Sequence, residues 1–334
     1  MVALSILDLV RITEGGSPGI AFDNTRDLAR HAEGWGYRRI WVAEHHNMQS
    51  IASAATSLVI AHIAAGTKSI RVGSGGIMLP NHSPLVIAEQ FGTLAHLYPG
   101  RIDLGLGRAP GTDQLTLRAL RRAPETAEYF PQDVLELQAL LGEPEPGQRI
   151  HAVPGAGTKV PLWILGSSQY GAMVAAEFGL PYAFASHFAP QQLLPALEIY
   201  RSRFKPSAQL DRPHAMVGVN IVAADSESEA RRLWTTQQMS FTGIFRGARR
   251  PSPPPIDDIE SYWSPMEKMQ VMEMLARSIV GSPDMVAAGI ADLVAETGAD
   301  ELIVVSDIYD HPARLHSYEL IARAGEAQAA SAAE

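Results

Sequence analysis

Short apolar runs alternate with longer amphipathic ones along almost the whole chain, and this alternation constrains the fold more than any single residue does. The runs read as strands at 3–10, 37–43, 70–76, 101–107, 161–166, 181–186, 214–223 and 301–306. Helical periodicity falls near 23–35, 54–66, 84–98, 112–122, 168–178, 190–204, 226–241 and 283–297, with a last helix expected at about 312–325. The strand runs are apolar on both faces, as in a parallel sheet covered by helices. Eight strand–helix units closing on themselves make an α/β protein of the (β/α)8 TIM-barrel class. The competing architecture is an open doubly wound sheet. No G-x-G-x-x-G opens a helix after the first strand, which weakens its dinucleotide-binding form.

Local chemistry supports the helix boundaries. Asp23 is a candidate N-cap, and Ser83-Pro84 and Ser282-Pro283 each set a capping hydroxyl before a helix-opening proline. Gly34, Gly36, Gly179 and Gly298 follow last helical turns. Two stretches break the repeat. Residues 142–160 form a Gly/Pro-rich excursion before the fifth strand. Residues 244–265 follow the seventh strand and its helix, and Pro251, Pro253, Pro254 and Pro255 forbid helix there. This second stretch reads either as a lid or as a surface loop. The expectation is one domain over residues 1–334, with insertions before strand 5 and after strand 7.

Composition removes several function classes. A net charge of −9 argues against a nucleic-acid partner. With no cysteine, disulfides, thiolate metal sites and cysteine nucleophiles are excluded. The opening MVALSILDLV lacks a basic segment and a cleavage site, and no apolar stretch approaches the ~18 residues that cross a bilayer. The expected location is the cytoplasm, with no membrane partner.

In a barrel, chemistry gathers at the carboxyl ends of the strands. Those ends carry Glu44-His45-His46, Ser74-Gly75-Gly76, Gly107-Arg108-Ala109-Pro110-Gly111, Gly166-Ser167-Ser168-Gln169-Tyr170, Ser186-His187, and Asp307 with Asp310. Gly166-Ser167-Ser168 leads straight into a helix, whose unpaired first amides and two hydroxyls suit a phosphate, with Arg108 as a charged partner. Helix capping alone also explains those serines. Gly75 and Gly76 fit close approach of a flat group to the backbone, or thinning of a strand for packing. His45 and His46 are adjacent, so they point to opposite sides and make poor joint ligands; no metal site is expected, and His62, His82, His96 and His151 are scattered. An inward imidazole at His45 suits proton transfer, or a satisfied place on the rim.

Taken together, AEHHN (43–47), VGSGGIMLPNHSPLVIAEQF (72–91), YPGRIDLGLGRAPGTD (98–113), PLWILGSSQYGAMVAAEFGLPYAFASHF (161–188) and GADELIVVSDIYDH (298–311) resemble the bacterial luciferase-like monooxygenase family of flavin-dependent barrels, in the family's order and over nearly the whole chain. The resemblance implies reduced FMN (FMNH2) at the barrel mouth. It places Gly75-Gly76 at a non-prolyl cis peptide beneath the ring. Arg108 and the Gly166, Ser167, Ser168, Tyr170 segment fall at phosphate-binding positions, and Ala109 beside them. Glu44 and His45 fall near the reacting edge, with His45 in a proton-transfer role. The light-emitting members carry Glu where Gly166 stands and Cys where Gly107 stands, so light emission is not implied.

Leu7, Leu9, Leu106, Ala109 and Phe188 are expected to line the mouth with few charges, which suits dioxygen and a neutral or aldehyde-like organic substrate. Arg246, Arg249 and Arg250 on the lid leave room for an anionic group, or form a solvated basic run. Reduced flavin could come from a separate reductase. Helices 54–66 and 84–98 are apolar on almost every side, pointing to a homodimer or to cover by the chain's own loops. Two other readings stay open: hydride transfer with the deazaflavin F420 on the same barrel, and a non-catalytic flavin-storage protein.

Overall fold

The computed structural model describes residues 2–109, 113–248 and 250–331; Pro110, Gly111, Thr112 and Arg249 lie outside the described residues. Nine parallel strands run in the order β1 Ala3–Asp8, β2 Arg39–Val42, β3 Arg71–Met78, β4 Ile102–Gly107, β5 Leu162–Gly166, β6 Tyr182–Phe184, β7 Ala215–Ala223, β8 Ile279–Gly281 and β9 Glu301–Val305. The helices are α1 Pro18–Gly34, α2 Thr56–Ala65, α3 Pro84–Leu97, α4 Gln114–Ala119, α5 Phe130–Leu141, α6 Gln169–Phe178, α7 Leu193–Arg203, α8 Glu227–Phe245, α9 Pro265–Met274, α10 Pro283–Thr297 and α11 His311–Ser331.

Strands β1 to β7 and β9 close a barrel: each pairs with the next, β6 pairs with β7, and β9 joins β7 to β1. All eight expected strands are present, and the eighth is β9. The short β8 was not expected. It pairs with the far end of β7 through Ile221–Ile279, Val222–Val280 and Ala223–Gly281, where β7 outgrows the barrel. The helices α5 and α9 were also unforeseen.

Helix α1 starts before Asp23. Ser17 is its N-cap and accepts from the Ile20 amide, with Pro18 opening the helix, while Asp23 pairs with Arg26 one turn on. Ser83 and Ser282 do occupy the N-cap positions of α3 and α10, but neither hydroxyl makes the capping bond. The left-handed Gly179 and Gly298 end α6 and α10 as read.

Two layers of core follow from strand alternation. Outward residues such as Ile40, Leu104 and Leu106 pack under the helices. Inside the barrel, Leu7, Trp41, Trp163, Met216 and Ile303 fill the middle. Glycines create the room: a Cβ on Gly73 would stand 2.5 Å from the Asp103 carbonyl oxygen, and one on Gly105 2.2 Å from that of Ser74. Below lies a buried ionic floor. Arg39 reaches Glu301 at 2.8 Å and Asp103 at 2.7 Å, and its guanidinium stacks 4.7 Å over Trp163. The amino-terminal end is thus plugged by paired charge, which leaves the carboxyl end as the open one.

The two irregular stretches have places. Gly155 of the first lies against α3, where a Cβ on Gly92 would meet the Gly155 Cα at 2.2 Å. In the second, Ser252 exchanges backbone hydrogen bonds with Ile12 and Glu14, pinning the proline run to the loop after β1.

Candidate active site at the open end of the barrel

A cavity of about 560 Å³ opens at the carboxyl ends of the strands. Its lining includes His45, Gly75, Gly76, Arg108, Ala109, Gly166, Ser167, Ser168 and Tyr170, so every expected cofactor-contacting residue meets in one place. Leu7, Leu9 and Phe188 line it too. Leu106 does not: it is fully buried among the helices, because Gly105 and Gly107 take the inward positions of β4.

The phosphate-type corner is built by β5 and α6. Gly166 and Gly171 pack closely, since a Cβ on either would stand 3.5–3.6 Å from the other's Cα, and this seats the start of α6 against β5. Ser168 is the N-cap, yet its hydroxyl makes no capping bond, so capping does not occupy the side chain. The first amides of α6 carry the positive end of its dipole. Arg108 crosses from the β4 end and lies 4.2 Å over the Tyr170 ring, parked beside that corner. The floor is Gly75-Gly76, joined by a cis peptide bond as the resemblance implies. A Cβ on Gly76 would stand 2.8 Å from the Gly105 carbonyl oxygen, so packing also demands glycine there, while one on Gly75 would meet the Leu7 Cδ1 at 2.6 Å and displace that side chain.

On the β2 side, Glu44 and His45 part company. His45 faces the cavity, and its amide donates to the Ser53 carbonyl at 3.0 Å. Glu44 is fully buried outside the lining. One of its oxygens accepts the Met78 amide at 3.1 Å; the other lies 2.9 Å from His46 Nε2 and 2.8 Å from His82 Nε2. Burial raises the Glu44 pKa, but the hydrogen bonds from His46, His82 and Met78 outweigh it and hold the carboxyl below its ordinary value. Glu44 therefore ties the β2 end to the β3 end as a carboxylate. His82 was not foreseen as its partner. Glu44, His46 and His82 offer ligand atoms within 4.8 Å of one another, and these atoms already bond among themselves.

The opposite wall was legible only in part. Arg11, from the loop after β1, pairs with Asp307 at 2.9 Å inside the cavity. His187, read only as a strand-end residue, lines it as well, as do Asn220 of β7 and Gln237 of α8. Arg250 reaches the lining, whereas Arg246 does not and pairs with Glu267 at 2.7 Å.

The luciferase-like monooxygenase family profile matches residues 2–301. A protein of Escherichia coli (strain K12) described as a luciferase-like monooxygenase is 54% identical over 320 residues, covering 96% of each chain. An N-acetyl-S-alkylcysteine monooxygenase of Bacillus subtilis (strain 168) is 30% identical over 97% of this chain and 98% of its own. The crystal structure of apo-MsnO8 superposes with a TM-score of 0.90 at 36% identity, covering 98% of this chain and 99% of that one. The chain thus belongs to the luciferase-like monooxygenase family.

Proposed function

We propose that the protein is a monooxygenase that takes reduced FMN, dioxygen and a small, largely apolar organic substrate. One observation carries this reading: an apolar cavity has an anion-seeking corner at Ser167, Ser168 and Arg108 and an inward imidazole, His45, on another strand end. The residues fit a phosphorylated flat cofactor. Two glycines leave the floor without side chains, and the N-cap hydroxyl at the start of α6 makes no capping bond.

When bound, reduced FMN supplies the activation of dioxygen. The first amides of α6, the Ser167 and Ser168 hydroxyls and Arg108 bind its phosphate. Gly75 and Gly76 support the ring. His45 would hold or move a proton at the imidazole it turns into the cavity, and Glu44 fixes the neighbouring backbone. Apolar residues such as Leu7, Phe184 and Phe241 exclude water from the reaction space.

Titrations with FMN, riboflavin and F420, followed by oxygen uptake with regenerated FMNH2, test the proposal. Arg108→Ala weakens FMN by about tenfold, the worth of one charge-assisted hydrogen bond, and leaves riboflavin within about twofold. His45→Ala lowers turnover by about a hundredfold or more with FMN affinity retained. Binding of F420 alone, equal loss of FMN and riboflavin, or FMN binding with no turnover of any substrate would each overturn the reading.

A further inference from the structure

The β6–β7 side of the cavity holds an imidazole with an unusual environment. His187 Nδ1 is buried and has no hydrogen-bond partner among the described residues. It faces Gly218 of β7: a Cβ there would stand 2.6 Å from Nδ1, so one of the glycine's hydrogens points at that nitrogen. A Cα–H is a weak donor and suits a lone pair, not an N–H. The ring proton therefore belongs on Nε2. With Nδ1 shut against β7, the rest of the ring edge is what His187 presents to the cavity it lines.

The ring is also held in place. Phe188 packs edge-on at 4.9 Å between centroids. Trp234 Nε1 donates to Gln237 at 3.1 Å, Gln237 donates to Asn220 at 2.7 Å, and Asn220 donates to the His187 carbonyl. This amide chain, running from α8 through β7, fixes the backbone from which the ring projects. Burial, followed by the electrostatic influence of Arg11 and His45, pushes the His187 pKa down to about 4, so the ring is neutral at pH 7. The Arg11 charge is itself answered by Asp307.

We propose that His187 is a specificity-determining residue: a neutral imidazole whose Nε2–H donates to an uncharged oxygen of the substrate, so that the site selects carbonyl, hydroxyl or ether compounds over hydrocarbons of the same shape. This deepens the monooxygenase reading, on which it rests for calling the bound molecule a substrate. The hydrogen bond itself needs no cofactor.

Two measurements test it on the flavin-free protein. Nitrogen-15 NMR of the imidazoles should show His187 neutral with the proton on Nε2 at neutral pH; an Nδ1–H tautomer or an imidazolium overturns the proposal without any variant. Binding of 2-octanone and octane is followed by intrinsic tryptophan fluorescence, to which Trp41 in the cavity lining contributes. His187→Phe should bind 2-octanone about three- to tenfold more weakly, and His187→Gln, which keeps a donor at similar reach, should stay within about twofold of the unaltered protein, with octane unchanged in both. Equal loss of both ligands, or 2-octanone binding unaffected by Phe, refutes the assignment. A parallel FMN titration separates the two ideas: absence of FMN binding removes the flavin reading, while the 2-octanone contrast still decides the role of His187.

Discussion

A carboxylate with no access to water keeps its charge only if its neighbours donate to it, and Glu44 has Met78, His46 and His82 around it. Glu44→Ala leaves the Met78 amide without this acceptor and takes the carboxylate from His46 and His82, so chemical denaturation should show a loss of about 2–3 kcal/mol. A loss under about 0.5 kcal/mol would mean that the tie contributes little. His187 gives the pH counterpart. Its folded pKa, about 4, lies below the ordinary value of 6.5. The unfolded chain therefore binds this proton first as the pH falls. Stability from this group is complete above about 6.5 and is lost progressively toward about 4. Melting measured at pH 7 and pH 5 should show a smaller drop for His187→Gln than for the unaltered protein. Identical drops would show that the group ionises alike in both states.

At the level of strands and helices, the glycines of β3 and β4 set the limits. Gly105→Ala places a methyl 2.2 Å from the Ser74 carbonyl oxygen, against backbone that has no room to yield. Gly34→Ala, at the end of α1, meets nothing within 4 Å. Thermal unfolding should find the first variant severely destabilised or unfolded and the second unchanged or stabilised by up to about 1 kcal/mol. The same elements show what a sequence discloses. The strands were legible because barrel strands are apolar on both faces. The site residues at strand ends, from His45 to Ser168, were legible because a barrel puts function there. Where a helix begins was less so: the Ser17-Pro18 start carries the signature read at Ser83-Pro84, but the apolar period becomes visible only after Asp23. Helix α9 announces itself with a capping box, Ser264 with Glu267, yet it follows a proline run that reads as loop. Arg11 and His82 reach their partners across loops, at sequence separations of 296 and 38, and no local pattern encodes such pairings.

Across the whole molecule, the outer helices raise a question that the barrel alone does not answer. On α2, Leu58 is 70% exposed, and on α3 Val86 and Leu97 are 43% and 60% exposed. The two helices are neighbours, joined where the Tyr98 hydroxyl donates to the Ala61 carbonyl at 3.3 Å. The chain's own excursion covers one side of α3, where Gly155 meets Gly92, and stops short of these side chains. A second copy of the chain would bury them and leave the cavity open at the strand ends, because α2 and α3 lie on the flank of the barrel. We therefore propose a homodimer through this flank. Light scattering should give twice the chain mass for the unaltered protein and a single-chain mass for Leu58→Glu combined with Leu97→Glu, whose added charges repel across a shared interface. FMN titration of that variant should be unchanged, since neither leucine lines the cavity. A dimer that survives both glutamates would place the contact elsewhere, and a monomeric unaltered protein would leave these leucines as ordinary exposed side chains.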